Sequence, residues 1–322
     1  LPPRFNLRPR QGLWLHWDGN NDLAEERNKS AAIGAGATEA SNLAILGTAR
    51  ANADRRRHLV TARTEHRATL DPMRRLEREG FAVTWLAPDC DGRIAPDAVR
   101  AALRPDTLLV SIMQVNNETG AVQDIAAIGA ACRAAGALLH SDLAQGVGKL
   151  PTLFAGQVDF ASFTAHKIHG PKGIGALYVA AAARPWIAPI VFGGGQERGL
   201  RSGTLPTHQI AGFGRACALA RAEGTADAAR MAGLRAALWR NLSEMPGVLP
   251  NSPSPPWRRL PSRQARPAAR RAASPRMSCV RSGAARSWHR ARCVSASGVS
   301  RLRQTSSGRG MPCVVRSPAC GA

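Results

Sequence analysis

Lys167 is the residue in this chain whose type and setting point most directly to chemistry. It ends the stretch Val158-Asp-Phe-Ala-Ser-Phe-Thr-Ala-His-Lys167, an apolar strand pattern that runs into the turn Ile168-His-Gly-Pro-Lys-Gly173. The sequence holds four lysines (Lys29, Lys149, Lys167 and Lys172) against forty arginines. Arg serves for surface charge and phosphate grip, but only Lys can deprotonate and attack a carbonyl. A lysine at the mouth of a strand, in a chain that otherwise uses Arg, suggests amine chemistry. Schiff-base formation with pyridoxal 5'-phosphate (PLP) is the commonest such chemistry; read alone, a solvated loop lysine is the simpler account.

Such a cofactor needs more than a lysine. It needs an acid to keep its ring nitrogen protonated, a phosphate cradle and a group stacked on the ring. Asp142 follows the strand pattern Ala137-Leu-Leu-His-Ser141, where a carboxylate has no structural reason to sit unless it meets a cation. Gly36-Ala37-Thr38 precedes a helix-compatible stretch from Glu39 to Leu46, a plausible anion site at a helix N-terminus. His66 follows another strand and is placed to stack. Taken singly, each has a plainer reading: a cap, a turn, a structural histidine.

The elements that must hold these residues alternate. Apolar, β-rich runs occur at His58–Ala62, Phe81–Ala87, Leu108–Val115, Ala137–Ser141, Val158–Phe163, Gly175–Val179 and Ile187–Phe192. Helical spacing occurs at Leu70–Glu79, Pro96–Leu103, Asp124–Ala135, His208–Glu223 and Ala226–Met245. This alternation predicts βαβ units and an α/β fold with a mainly parallel sheet flanked by helices. Ligands of such sheets bind beyond the carboxyl ends of the strands. Polar clusters stand at four of those ends: Glu65-His66, Asn116-Asn117-Glu118, Asp142 to Gln145, and Thr164 to Lys167.

Charge is placed unevenly. The formal net charge is +22, yet no Asp or Glu follows Glu244, and residues 251–322 hold fifteen Arg. The first 250 residues hold 29 basic and 22 acidic residues, an ordinary globular balance. The Arg/Ser/Pro-rich stretch 251–322 cannot bury enough apolar surface to offset chain entropy, so its composition predicts a disordered tail. It also resembles a high-GC coding sequence read out of frame, which resequencing around codon 251 would test. Its aromatics are Trp257 and Trp288 alone, so it implies salt-sensitive, non-specific attraction to nucleic acid and no specific binding. The seven cysteines form neither a zinc pattern nor a disulfide framework, which favours a reducing cytoplasm and predicts no metal. No run is long and apolar enough to predict a membrane span. The chain starts on Leu without a signal-peptide pattern, as a fragment would.

Several segments, in order, resemble the cysteine desulfurases of the NifS/IscS group, class V members of the fold-type-I PLP enzymes. They are Gly36-Ala-Thr-Glu-Ala-Ser-Asn-Leu-Ala44, Thr64-Glu-His-Arg67, Val115-Asn-Asn-Glu-Thr-Gly120, His140-Ser-Asp-Leu-Ala-Gln145, Ser162-Phe-Thr-Ala-His-Lys167, Gly193-Gly-Gly-Gln-Glu-Arg198 and Arg201-Ser-Gly-Thr-Leu-Pro206. The likeness covers about residues 34–245. It implies a fold-type-I PLP-dependent transferase large domain at 34–225, the start of a small-domain helix at 226–250, and an incomplete small domain. Residues 1–33 and 251–322 have no counterpart.

The resemblance also implies roles. Lys167 would carry the cofactor and move protons. Asp142 would pair with the ring nitrogen, Gln145 and Asn117 would contact the ring hydroxyl, and His66 would stack and shuttle protons. Ala37, Thr38, Thr164 and His166 would hold the phosphate, with Thr204 reaching the phosphate of the neighbouring subunit in a homodimer. The implied reaction takes sulfur from L-cysteine, leaving L-alanine and an enzyme persulfide for an iron–sulfur scaffold, another sulfur-acceptor protein or tRNA thiolation. The persulfide cysteine and the carboxylate-binding arginine should fall inside 251–322, where Cys293-Val-Ser-Ala-Ser297 echoes the family loop. Such a chain would be an inactive or truncated copy if that part is missing. Another class V PLP enzyme, an aminotransferase or selenocysteine lyase, is the alternative; alanine and sulfide release from cysteine would separate them.

Overall fold

A computed structural model describes residues 31–150 and 156–248. Seven strands form one sheet: β1 (Ala31–Gly34), β2 (His58–Ala62), β3 (Ala82–Leu86), β4 (Thr107–Ser111), β5 (Leu138–Asp142), β6 (Phe160–Thr164) and β7 (Gly175–Val179). Their order across the sheet is β1-β7-β6-β5-β4-β2-β3. Strands β2 to β6 pair in parallel, and β7 runs antiparallel to both neighbours. The fold is the expected mainly parallel α/β sheet flanked by helices.

Both faces of the sheet are covered, which explains why its central strands lack the apolar–polar alternation of a sheet with one wet face. Every residue of β2, β4 and β6 is buried. Alternate residues serve opposite cores. Leu59, Leu109, Phe160 and Leu177 pack into one, while Val60, Val110, Ala161 and Ala176 pack into the other. The first core is closed by α1 (Ala37–Asn42), which continues through a π-turn (Leu43–Gly47) into α2 (Thr48–Ala51), and by α3 (Arg67–Arg78). The second is closed by α4 (Pro96–Ala102), α5 (Ile125–Ala134) and α6 (Thr207–Ser243).

Three elements differ from the sequence expectation. Strand β1 was not foreseen, because its Ala-Ala-Ile-Gly is short and weakly β-prone; it forms by pairing with β7, and Glu197 Oε2 accepts the Ile33 N–H at 3.0 Å. The run Ile187–Phe192 is not a strand. Pro189 lacks a ladder donor, the Ala188 N–H instead donates to Gly47 O at 3.3 Å, and Phe192 is 81% exposed. The helical patterns on either side of Gly224-Thr225 are one continuous helix, so the boundary expected at 225/226 falls inside α6. The expectations for residues 1–30 and 249–322 lie outside the described residues.

Gly224 has a packing reason to interrupt the pattern. A Cβ there would sit 2.8 Å from the backbone oxygen of Gly148, in the loop after β5. Gly233, in the same helix, has nothing within 4 Å of its Cβ position. Gly→Ala in an open helix gains about 1 kcal/mol, whereas pushing a methyl group into packed backbone costs about 1–3 kcal/mol. Thermal unfolding should therefore show Gly233→Ala raising the melting temperature and Gly224→Ala lowering it by a few degrees. A rise in both would mean that α6 does not bear on the loop.

Candidate active site

The carboxyl ends of β2, β4, β5 and β6 open on one cleft of about 810 Å³. Its walls include Ala37, Thr38, His66, Asn117, Asp142, Gln145, Thr164, His166 and Lys167. Every site residue expected from the sequence except Thr204 is thus brought to a single cavity. Thr204 is exposed on the segment before α6 and does not line it.

Local structure aims each group. Asp142 is the last residue of β5 and is buried, its Oδ1 accepting the Ala144 N–H at 2.8 Å. Burial pushes its carboxyl above the ordinary range, and the Ala144 N–H, His66 and Lys167 pull it back. Lys167 lies in a 3-10 turn (Ala165–Ile168) directly after β6. Thr164 Oγ1 lies 3.1 Å from Ile174 O and 3.0 Å from His166 Nδ1, which holds the two side chains together at the end of β6. Burial, then Lys167 and Lys172, lower the His166 pKa. His66 is the N-cap of α3, its Nδ1 accepting the Ala68 N–H at 3.1 Å, and this bond fixes the ring plane. Asn116 is buried and braces the loop that presents Asn117. Its Nδ2 donates to Thr64 O, and its Oδ1 accepts from the amides of Glu118 and Thr119.

The start of α1 has no side-chain cap, and Gly36, Ala37 and Thr38 at that start line the cleft. Glu39, in the same turn, would repel an anion there, but it is turned back and neutralised. Its Oε2 accepts the Ala35 N–H at 2.6 Å, and its Oε1 accepts from Arg201 Nε at 2.6 Å. Burial pushes the Glu39 carboxyl up, but the bonds from Arg201 and Ala35 outweigh it and hold it below the usual range. Close approach to this turn also requires Gly175: a Cβ there would lie 2.5 Å from Phe163 O and 2.6 Å from Gly36 Cα.

The sequence reading passed over two groups. Lys172 lines the cleft and adds a second cation beside Lys167. Glu65, adjacent to His66, was marked only as part of a polar cluster. It is 5% exposed; Oε1 accepts the Met113 N–H at 2.8 Å, and Oε2 is buried with no protein partner. Its place at the end of β2 beside a cleft residue was the available signal. Burial, helped by the charge of Asp142, raises its pKa well above 4.5.

A model of the family "Aminotransferase class-V" matches residues 32–261. The chain belongs to this family. It is 54% identical over 249 residues to the cysteine desulfurase IscS of Serratia proteamaculans and 51% identical to that of Escherichia coli K12 / DH10B. Each match covers 77% of this chain and 62% of the relative, so the chain spans under two-thirds of these relatives' length. Among solved structures it resembles DndA from Streptomyces lividans (40% identity, TM-score 0.64, covering 68% of this chain and 63% of that one). It also resembles a NifS-like protein (36% identity, TM-score 0.65, 67% and 60%).

The raised pKa of Glu65 predicts a specific pH dependence. The group carries its proton in the folded chain above pH 4.5, where the unfolded chain has lost it. Its contribution to stability is therefore full below pH 4.5 and is lost as pH rises toward the folded pKa, by up to ~1.4 kcal/mol per pH unit. Glu65→Gln removes this titration. Urea unfolding at a series of pH values should show the variant gaining on the parent as pH rises from 4.5. A difference that stays constant with pH would show that Glu65 is ionised in the fold.

Proposed function

We propose that residues 31–248 contain the cofactor grip of a PLP-dependent cysteine desulfurase of the NifS/IscS kind. One observation carries this reading: a buried carboxyl at the end of β5, a lysine at the end of β6 and an uncapped helix start all face one cleft. These are the three fittings that a phosphorylated pyridine aldehyde requires. The donor set suits the group: amides, Thr38, Thr164 and His166 for its phosphate, Asp142 for a ring N–H⁺, Gln145 and Asn117 for its hydroxyl. His66 offers a ring face. When bound, the cofactor supplies an electron sink for bonds at the substrate's α and β carbons.

The chain's own residues would then do the following. Lys167 would hold the cofactor covalently and, as an amine in the cleft, would move protons near the substrate's α carbon. Asp142 keeps the ring nitrogen protonated, which a buried carboxylate facing that cation is built to do. Lys149 Nζ lies 3.4 Å from Gln145 Oε1 and so leaves the amide's NH₂ free to turn toward the cleft. The substrate is L-cysteine, and the products are L-alanine and sulfur held as a persulfide on a cysteine thiolate. Cys132 and Cys217 are poor candidates for that thiolate, since burial pushes both thiols up to about 12. Cys293, the candidate read from the sequence, lies outside the described residues.

The remaining expectations belong to the same reading. The protein would work as a cytoplasmic homodimer, with Thr204 serving the partner's phosphate site. The second half of α6 would begin a smaller domain. Sulfur would pass to an iron–sulfur scaffold or another acceptor. Among the described residues, no helix is long and apolar enough to cross a membrane.

The test uses the full chain mixed with PLP. A visible absorbance band should appear, borohydride should fix the cofactor to the peptide containing Lys167, and Lys167→Ala should abolish both. No band, or a band that survives Lys167→Ala, would overturn the assignment. Release of alanine and sulfide from cysteine then tests the desulfurase step separately.

A further inference from the structure

Behind the cleft runs a buried polar chain that no role above uses. Ser111 Oγ lies 2.8 Å from His140 Nδ1, His140 Nε2 lies 3.1 Å from Ser162 Oγ, and Ser162 Oγ lies 2.7 Å from Ser41 Oγ. All four residues are fully buried. The chain crosses β4, β5 and β6 and ends on α1. Burial holds the His140 pKa down at about 3, so the ring is neutral, with one nitrogen donating and the other accepting. Whichever nitrogen carries the proton, every link can be satisfied, with the hydroxyls turned to suit. A fully paired network of this kind is rigid and directional, unlike apolar packing.

Its placement shows what it positions. Side chains two apart on a strand share a face. His140 therefore stands one repeat behind Asp142, Ser162 one behind Thr164, and Ser111 one behind Met113. Ser41 stands three residues after Thr38 on α1, on neighbouring sides of the helix. Asp142, Thr164, Met113 and Thr38 all line the cleft. Elsewhere α1 and the π-turn after it meet the sheet through small and aliphatic residues such as Ala40, Leu43 and Ala44, while Glu39 ties the first turn to Ala35 and Arg201, outside the central strands.

We propose that Ser41, Ser162, His140 and Ser111 form a positioning network that fixes the offset between the helix start at Thr38 and the carboxyl of Asp142. The offset matters only to a ligand gripped at both ends, an anion at one and a ring nitrogen at the other. The inference rests on the PLP reading above and adds to it a determinant of cofactor affinity outside the cleft.

Ser162→Ala and Ser41→Ala in the full chain, titrated with PLP and with phosphate-free pyridoxal, test it. Losing one buried bond should weaken PLP binding about tenfold, while pyridoxal, which has no phosphate to register, should change less than twofold. Because both variants break the same link, the double variant should lose little beyond either single one. Equal losses for the two ligands, or unchanged PLP affinity with a lower melting temperature, would mean that the network is ordinary core structure. If Ser162→Ala does not fold, Ser41→Ala carries the same comparison. Failure of the parent chain to bind PLP would defeat the functional reading and this proposal with it; PLP binding that the variants leave intact defeats the proposal alone.

Discussion

A carboxylate withdrawn from water costs several kcal/mol unless cations or hydrogen bonds meet it, and Asp142 places that demand at the end of β5. Much around it answers the demand. The Ala144 N–H binds one oxygen, and Lys167 and His66 contribute favourable charge. Glu65 avoids a second charge at the same spot, since burial and the charge of Asp142 both favour its protonated form. Burial thus pushes both carboxyls toward their neutral forms, and a cationic ring nitrogen beside Asp142 is the complement that would favour its charged form.

The opposite end of the cleft is organised by the reverse logic. The start of α1 collects amide N–H groups without a capping side chain, a setting that favours an anion. Glu39 would spoil that field, yet Arg201 pairs with it from a segment 162 residues away in sequence. The same segment supplies Glu197, which satisfies the edge amide of Ile33 in β1. Residues 197–201 thus fix both the edge strand that leads into the helix start and the charge beside it. The stretch does this at the cost of two consecutive non-glycine residues at positive φ, Glu197 and Arg198.

Much of this was legible in the sequence, for reasons that differ between elements. Strands buried on both faces leave mostly apolar, β-prone runs, so β2, β5, β6 and β7 could be read directly, and the polar residues at the carboxyl ends of β2, β5 and β6 marked the cleft. Strand β1 could not be read, because its pairing comes from β7 and its anchor from Glu197, both remote in sequence. Ile187–Phe192 misled for the complementary reason: it is apolar because part of it packs, with Pro189 keeping it out of the ladder. Gly224 looked like a helix break, whereas it marks the place where α6 passes close to Gly148. Glu65 was hidden by its type, since a glutamate after a strand reads as a surface group until burial shows otherwise.

The described residues also separate two halves of the proposed chemistry. Gripping a phosphorylated aldehyde needs an acid, an amine and an anion cradle, and all three converge within residues 36–173. Accepting sulfur needs a thiolate that can leave the cleft with its cargo. Cys132 and Cys217 are locked in the core with thiols near 12, and exposed Cys90 does not line the cleft. A nucleophile on rigid core elements could not both reach the substrate sulfur and present it to a second protein, so the two tasks call for different parts of a chain. Cofactor binding can therefore be intact where sulfur transfer is not, and the two are best measured as independent properties of this protein.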